Sequence, residues 1–86
     1  MRTCIVYRTA AKELKSEFEK DNYNAANQPQ FEAAEFSDGR VAQRWLTPTG
    51  SCVWWDSWQN LCAVHIYAHP DYGTRVEWSD GTVEEL

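Results

Sequence analysis

No run of about 18 apolar residues occurs in this chain, so no segment reads as a membrane-spanning helix. The opening MRTCIVYRTAAKELK holds only a short apolar patch before charge returns, too short for the core of a signal peptide. Glycine is scarce: the 4 glycines are isolated from one another, so no glycine-rich loop is available to cradle a phosphate. Cysteine is scarce and odd in number. Cys4, Cys52 and Cys62 each have apolar neighbours and read as reduced, buried thiols rather than as a disulfide framework. These features point to the cytoplasm. Basic residues are thin after the first 20 positions: Arg40, Arg44 and Arg75 face ten acidic groups between residues 21 and 86. General binding to a nucleic-acid backbone needs clustered Lys and Arg, and that cluster is missing. The net charge of −5 suits a soluble domain, and it suits docking on a basic partner.

What the chain has in abundance is large rings. Five tryptophans, four tyrosines and three phenylalanines occur in 86 residues, a length that implies a single domain over 1–86. The stretch Arg44–Tyr72, RWLTPTGSCVWWDSWQNLCAVHIYAHPDY, carries four of the tryptophans, two of the cysteines and both histidines. The core is expected to centre there. Trp54 and Trp55 are adjacent, so in a strand they point to opposite faces. One can enter the core; the other must be covered by a helix, by a partner or by nothing.

The pattern along the chain predicts an α+β fold: a mainly antiparallel sheet of five or six strands with two helices, in the order β-α-β-β-β-α-β-β. TCIVYR (3–8) reads as an inner strand, apolar on both faces. Thr9 can cap a helix from Ala10 to about Lys20, with Ala11, Leu14 and Phe18 as its apolar stripe. DNYNAANQPQ (21–30) reads as a loop. Glu35-Phe36-Ser37-Asp38-Gly39-Arg40-Val41 is echoed by Glu77-Trp78-Ser79-Asp80-Gly81-Thr82-Val83, and both predict Asp-Gly hairpins, 31–37 with 40–46 and 74–79 with 82–86. A two-residue turn would set Phe36 opposite Val41 and Trp78 opposite Val83; a three-residue turn with a bulge would shift that register. Ser51–Trp55 should form a strand between them. Asp56 or Ser57 can cap a helix from Trp58 to about Tyr67, which is apolar on most sides and therefore expected to be buried on most sides.

Three constellations are candidates for function. Arg40 and Arg44 lie four apart on an expected strand and hence on one face. They can fork onto a phosphate or carboxylate, or pair across the hairpin with Glu32 or Glu35. Trp54, Trp55 and Tyr72, with Asp71 alongside, are candidate partner-binding residues, since Trp, Tyr and Arg dominate interface energetics. Cys62, His65 and His69 follow a helical spacing, with Asp71 next, and each type can ligate zinc. That spacing matches no closed zinc pattern, and a cysteine and histidine on an apolar stripe are ordinary core residues. No metal or other cofactor is therefore assigned. No nucleophile–base motif surrounds Ser51, Cys52 or the histidines, so the chain reads as no enzyme.

Arg44–Trp78, RWLTPTGSCVWWDSWQNLCAVHIYAHPDYGTRVEW, resembles a segment of small acidic accessory proteins of bacteriophages. The resemblance brings no catalytic or ligand-binding motif. What it implies is a setting: a short phage protein that binds and blocks a host protein, among them defence and nucleic-acid-binding proteins, or that sequesters a nucleotide. The first expectation is thus a non-catalytic inhibitor of a host protein with an acidic, aromatic-rich surface. The second is an oligomeric small-ligand binder, such as a nucleotide sponge, using Arg40, Arg44 and aromatics between subunits. A metal-dependent hydrolase is a third. A sheet edge could also pair with a partner or with a second copy.

Overall fold

The computed structural model describes residues 1–10, 24 and 26–86. The helix expected over 10–20, apart from residue 10, and residues 21–23 and 25 of the loop expected over 21–30 lie outside the described residues. Within them, six strands form one antiparallel sheet: β1 (Arg2–Arg8), β2 (Pro29–Glu35), β3 (Val41–Trp45), β4 (Ser51–Trp55), β5 (Thr74–Trp78) and β6 (Val83–Glu85). One α-helix, α1 (Trp58–His65), and a 3-10 turn (Pro70–Tyr72) join β4 to β5. The described part is therefore α+β and contains one of the two expected helices.

The sheet order is β4-β3-β2-β1-β5-β6. β1 is an inner strand, as its two-faced apolar pattern required: it pairs with β2 on one side and β5 on the other. Cys4 and Val6 point to the helix side and are buried, while Thr3, Ile5 and Tyr7 point the other way. β2 begins two residues earlier than expected, at Pro29. Proline is tolerated there because the first strand residue need not donate to the ladder.

The two echoed segments form the same hairpin. In each, the acid and the valine are paired, Glu35 with Val41 and Glu77 with Val83. The next pair inward is Phe36 N–H to Arg40 C=O (2.8 Å) and Trp78 N–H to Thr82 C=O (2.8 Å). Gly39 and Gly81 then bond back to Phe36 and Trp78 with φ of 89° and 93°. This is a three-residue loop with a glycine bulge, so Phe36 does not face Val41 and Trp78 does not face Val83. The aspartates hold both loops: Asp38 accepts from Arg40 N–H and Asp80 from Thr82 N–H. The latter bond also lowers the Asp80 pKa.

α1 covers one face of the sheet. Ser57 caps it, its hydroxyl accepting from Asn60 N–H at 3.1 Å. Trp58, Leu61, Cys62 and the following Ile66 are buried against Cys4, Val6, Phe31, Ala33, Val41, Val76 and Trp78. Trp58 and Trp78 meet edge to face at 5.0 Å. The expectation that this helix is buried on most sides fails: Ala63, Val64 and Tyr67 are exposed. A single sheet layer can cover only one side of a helix. The helix also stops at His65, two residues early, because Tyr67 N–H reaches back to Cys62 C=O and Ile66 leaves helical φ. After the 3-10 turn, Gly73 adopts left-handed backbone (φ 60°) and its carbonyl accepts from both Thr9 N–H and the Thr9 hydroxyl.

Candidate interaction surface

Because directly paired residues project to the same side, the register fixes what the second face of the sheet carries. One row across it runs Thr3, Ala34, Ala42, Trp54. The next runs Val83, Glu77, Ile5, Glu32, Arg44, Cys52. A third holds Tyr7, Arg75 and Glu85. Small residues at the centre, Ala34 and Ala42, and larger ones around them leave a hollow of about 770 Å³ over the sheet. Thr3, Ile5, Glu32, Arg44, Trp54 and Glu77 are among its walls. No helix among the described residues lies over this face.

Trp54 is 67% exposed, the most accessible of the tryptophans. It is not loose: its ring stacks on Phe36 at 5.5 Å and 23° between planes. The bulged hairpin places Phe36 for that stack, since the three-residue loop frees it from facing Val41. Arg44 lies 3.9 Å from Glu32, its cross-strand neighbour, with both groups largely in solvent. Such an exposed pair contributes at most a few tenths of a kcal/mol and yields readily to a stronger partner. Arg75 Nε sits 3.0 Å from Glu77 Oε2, and its guanidinium lies over the Tyr7 ring at 4.6 Å. The face is thus apolar at the centre and ringed by charges of both signs.

The other candidate residues are distributed elsewhere. Arg40 closes the hairpin loop just before β3, 3.8 Å from Asp38, and is not among the residues lining the hollow. Arg44 takes Glu32, whereas Glu35 pairs with Arg2 at 3.2 Å. Trp55 lies on the helix side, its indole N–H donating to Gln43 Oε1 at 2.8 Å. Tyr72 belongs to the 3-10 turn, stacked on His69 at 4.5 Å and under the Arg8 guanidinium at 4.5 Å. Asp71 is exposed in the same turn. Of the six residues singled out for binding, only Trp54 and Arg44 meet in the hollow. Sequence reasoning passed over Ile5, Ala34, Ala42 and Glu77, which line the hollow, and Phe36 beside Trp54; the alanines of β2 and β3 were the available signal.

The metal constellation does not assemble. Among the described residues no group of three or more His, Cys, Asp or Glu side chains is placed to hold an ion. Cys62 is buried in the core, and its thiol is pushed up to about 11 by burial, then by Glu84. Cys4 is pushed up to about 12, chiefly by burial. His65 stands edge-on to Trp45 at 5.0 Å, Trp55 at 5.5 Å and Phe31 at 6.4 Å. Burial in that aromatic box lowers its pKa, with Arg8 and His69 adding to the effect. Cys52 departs from the expected pattern: it is an exposed free thiol on the open face. The imidazoles lie elsewhere, His65 against Trp45 and Trp55 and His69 against Tyr72.

Among the described residues, then, one antiparallel sheet has a helix on one face and an aromatic stack beside a hollow on the other, which defines a small α+β protein. The chain belongs to the family described as Acb5 phage protein, which matches residues 31–80, more than half of its length. The matched region covers all but the first two residues of β2, and β3, β4, α1 and β5, and so includes most of the open face. No curated protein and no solved structure matches the chain. The resemblance to phage accessory proteins is thereby upheld. No helix among the described residues is long and apolar enough to cross a membrane.

Proposed function

We propose that this phage protein is a non-catalytic binding protein that acts in the host cytoplasm, docking its open sheet face on a host protein and inhibiting it. The observation that carries this reading is Trp54, two-thirds exposed yet held in place by Phe36 beside an apolar hollow. A pre-positioned indole loses little rotamer entropy on binding, and exposed Trp and Arg side chains are the usual anchors of interfaces. The hollow, about 770 Å³ over the open face, can take a protruding side chain of a protein. The net charge of −5 would steer the chain toward a basic site, such as that of a nucleic-acid-binding protein.

The test is comparative capture from host lysate with wild-type protein, Trp54→Ala, Ile5→Glu and Val64→Glu as baits. Val64 is exposed on the far side of the molecule, on α1. A partner retained by wild type and Val64→Glu but lost by the two face variants supports the reading, and its activity should fall when wild-type protein is added. Equal capture by all four baits overturns it.

A second reading is favoured by one observation: the hollow lies within the roughly 300–1,000 Å³ range of small-ligand pockets and has a ring and a guanidinium on its wall. A nucleotide stacked on Trp54 with its phosphate at Arg44 would fit that description. It ranks second because Glu32 and Glu77 line the same hollow and Glu32 already engages Arg44. Titrating tryptophan emission with cyclic nucleotides and dinucleotides separates the two readings, since only the second predicts a saturable response.

A further inference from the structure

The geometry points to β4 as a dimerisation edge, through which two copies of this chain pair antiparallel about Val53 and merge their open faces. This goes beyond the proposed function and does not depend on what those faces bind.

β4 pairs with β3 alone, so its outer edge is unpaired in the described structure. Its sequence, Ser-Cys-Val-Trp-Trp, contains no charge and no proline, the devices by which exposed edges are normally blunted. Four of its five residues are exposed, Val53 at 37% and Trp54 at 67%. The opposite edge is guarded: β6 is three residues long and ends in Glu84 and Glu85. In an acidic chain, β4 is thus the edge at which an identical chain can approach without bringing like charges together.

The register follows from the ladder. Phe36 N–H bonds to Arg40 C=O, so alternation directs the backbone of Ala42 and Arg44 toward β2 and that of Val41, Gln43 and Trp45 toward β4. Ser51, Val53 and Trp55 answer them, which leaves the N–H and C=O groups of Cys52 and Trp54 pointing outward. Centring the two-fold axis on Val53 sets Cys52 of each copy opposite Trp54 of the other, and each such pair exchanges both N–H···O bonds. Shifting the axis to Cys52 would need Gly50 in extended backbone, but its φ is 61°. Shifting it to Trp54 would need Asp56, which lies beyond the strand. With the axis on Val53 all five strand residues are used, and Asp56 falls opposite Gly50 of the second copy.

The result is one sheet running through both subunits. Cys52 and Trp54 both project to the open face, so the two indoles lie across the junction with an Arg44 outside each. The two hollows become one continuous surface to which each copy contributes a tryptophan. A five-residue junction buries less than the ~1,000 Å² of a robust interface, so the association is expected in the micromolar range.

The test is molar mass by light scattering or sedimentation from about 1 to 300 μM, a range set to bracket a micromolar dissociation constant. Mass should climb from that of the 10.0 kDa chain toward twice that value. Val53→Lys, which places two ammonium groups on the axis, should hold the protein monomeric throughout. Val53→Cys in a Cys52→Ser background should give a disulfide-linked dimer on mild oxidation, because non-hydrogen-bonded partners lie about 4.5 Å apart at Cα. Native Cys52 should not, because its counterpart is offset along the strand beyond disulfide reach. Should Val53→Lys fail to fold, the cross-link decides alone. A monomer at every concentration, or a dimer that survives Val53→Lys without the Val53→Cys cross-link, overturns the inference.

Discussion

Replacing Trp54 by alanine should separate stability from binding more sharply than any other single change in this protein. The indole is 67% exposed, so about one-third of its surface, on the order of 80 Å², is covered. At ~25 cal/mol per Å² that burial stabilises by at most about 2 kcal/mol, and alanine retains part of it. The stack on Phe36 adds ~0.5–1 kcal/mol. Trp54→Ala should therefore cost ~1–2 kcal/mol in urea unfolding at fixed protein concentration. Trp78→Ala is the reference: that ring is 5% exposed, packs on Trp58 and donates its N–H to Glu84. Its loss should cost ~3–5 kcal/mol. Affinity for the partner should run the opposite way. A docked anchor residue contributes ~2 kcal/mol or more, so Trp54→Ala should weaken binding about 30-fold or more in calorimetry or surface-plasmon titration. If Trp54→Ala destabilises as much as Trp78→Ala, the indole is a structural residue and the interaction face loses its main support. Unchanged partner affinity would refute the reasoning equally.

Other perturbations probe the rest of the fold. His65 has a lowered folded-state pKa, so the unfolded chain binds more protons below the ordinary value of 6.5. Its neutral box is fully stabilising above that pH and loses stability as pH falls through 6.5 toward the folded value; His65→Gln should flatten this part of a stability–pH curve from pH 8 to 5. Thiol labelling at pH 8 should be confined to Cys52 in the native protein, since Cys4 and Cys62 are buried with thiols pushed up to about 12 and about 11; all three cysteines should label after denaturation. Gly73→Ala should cost ~2–3 kcal/mol, because it combines left-handed backbone with a Cβ driven into the Thr9 hydroxyl. Gly39→Ala, at φ 89° with open space around the added methyl, should cost only ~1 kcal/mol in the same unfolding assay.

The local elements were legible and their joinery was not. The two Ser-Asp-Gly segments announced hairpins because Asp-Gly is compatible with few other conformations. The same dipeptide fits both a two-residue and a three-residue loop, so the register of Phe36 and Trp78 stayed open until the backbone hydrogen bonds fixed it. β1 was readable as an inner strand from Cys4 and Val6 on one side and Ile5 and Tyr7 on the other. Which strands flank it depends on long-range pairing that no local pattern encodes. α1 was overread as buried all round, since Val64 and Tyr67 look like core residues until it is known that one sheet covers a single side. Cys52 looked buried for a similar reason, its apolar neighbours being on an edge strand. For the site, the ring surplus pointed to an exposed indole and could not say which. Trp54 and Arg44 lie together along the hollow, while Tyr72, Asp71, Trp55 and Arg40 are spread over other parts of the molecule.

The place of β1 in the sheet bears on how a ribosome delivers this protein. Of the six described strands, the first in chain order lies between β2, the next to be made, and β5, which is made only after β3, β4 and α1. Until residues 74–78 leave the exit tunnel, one flank of β1 lacks its mate, and Val76 and Trp78 are not there to close the apolar layer. The nascent chain must therefore wait as an incomplete sheet, and its final zippering joins residues some seventy positions apart.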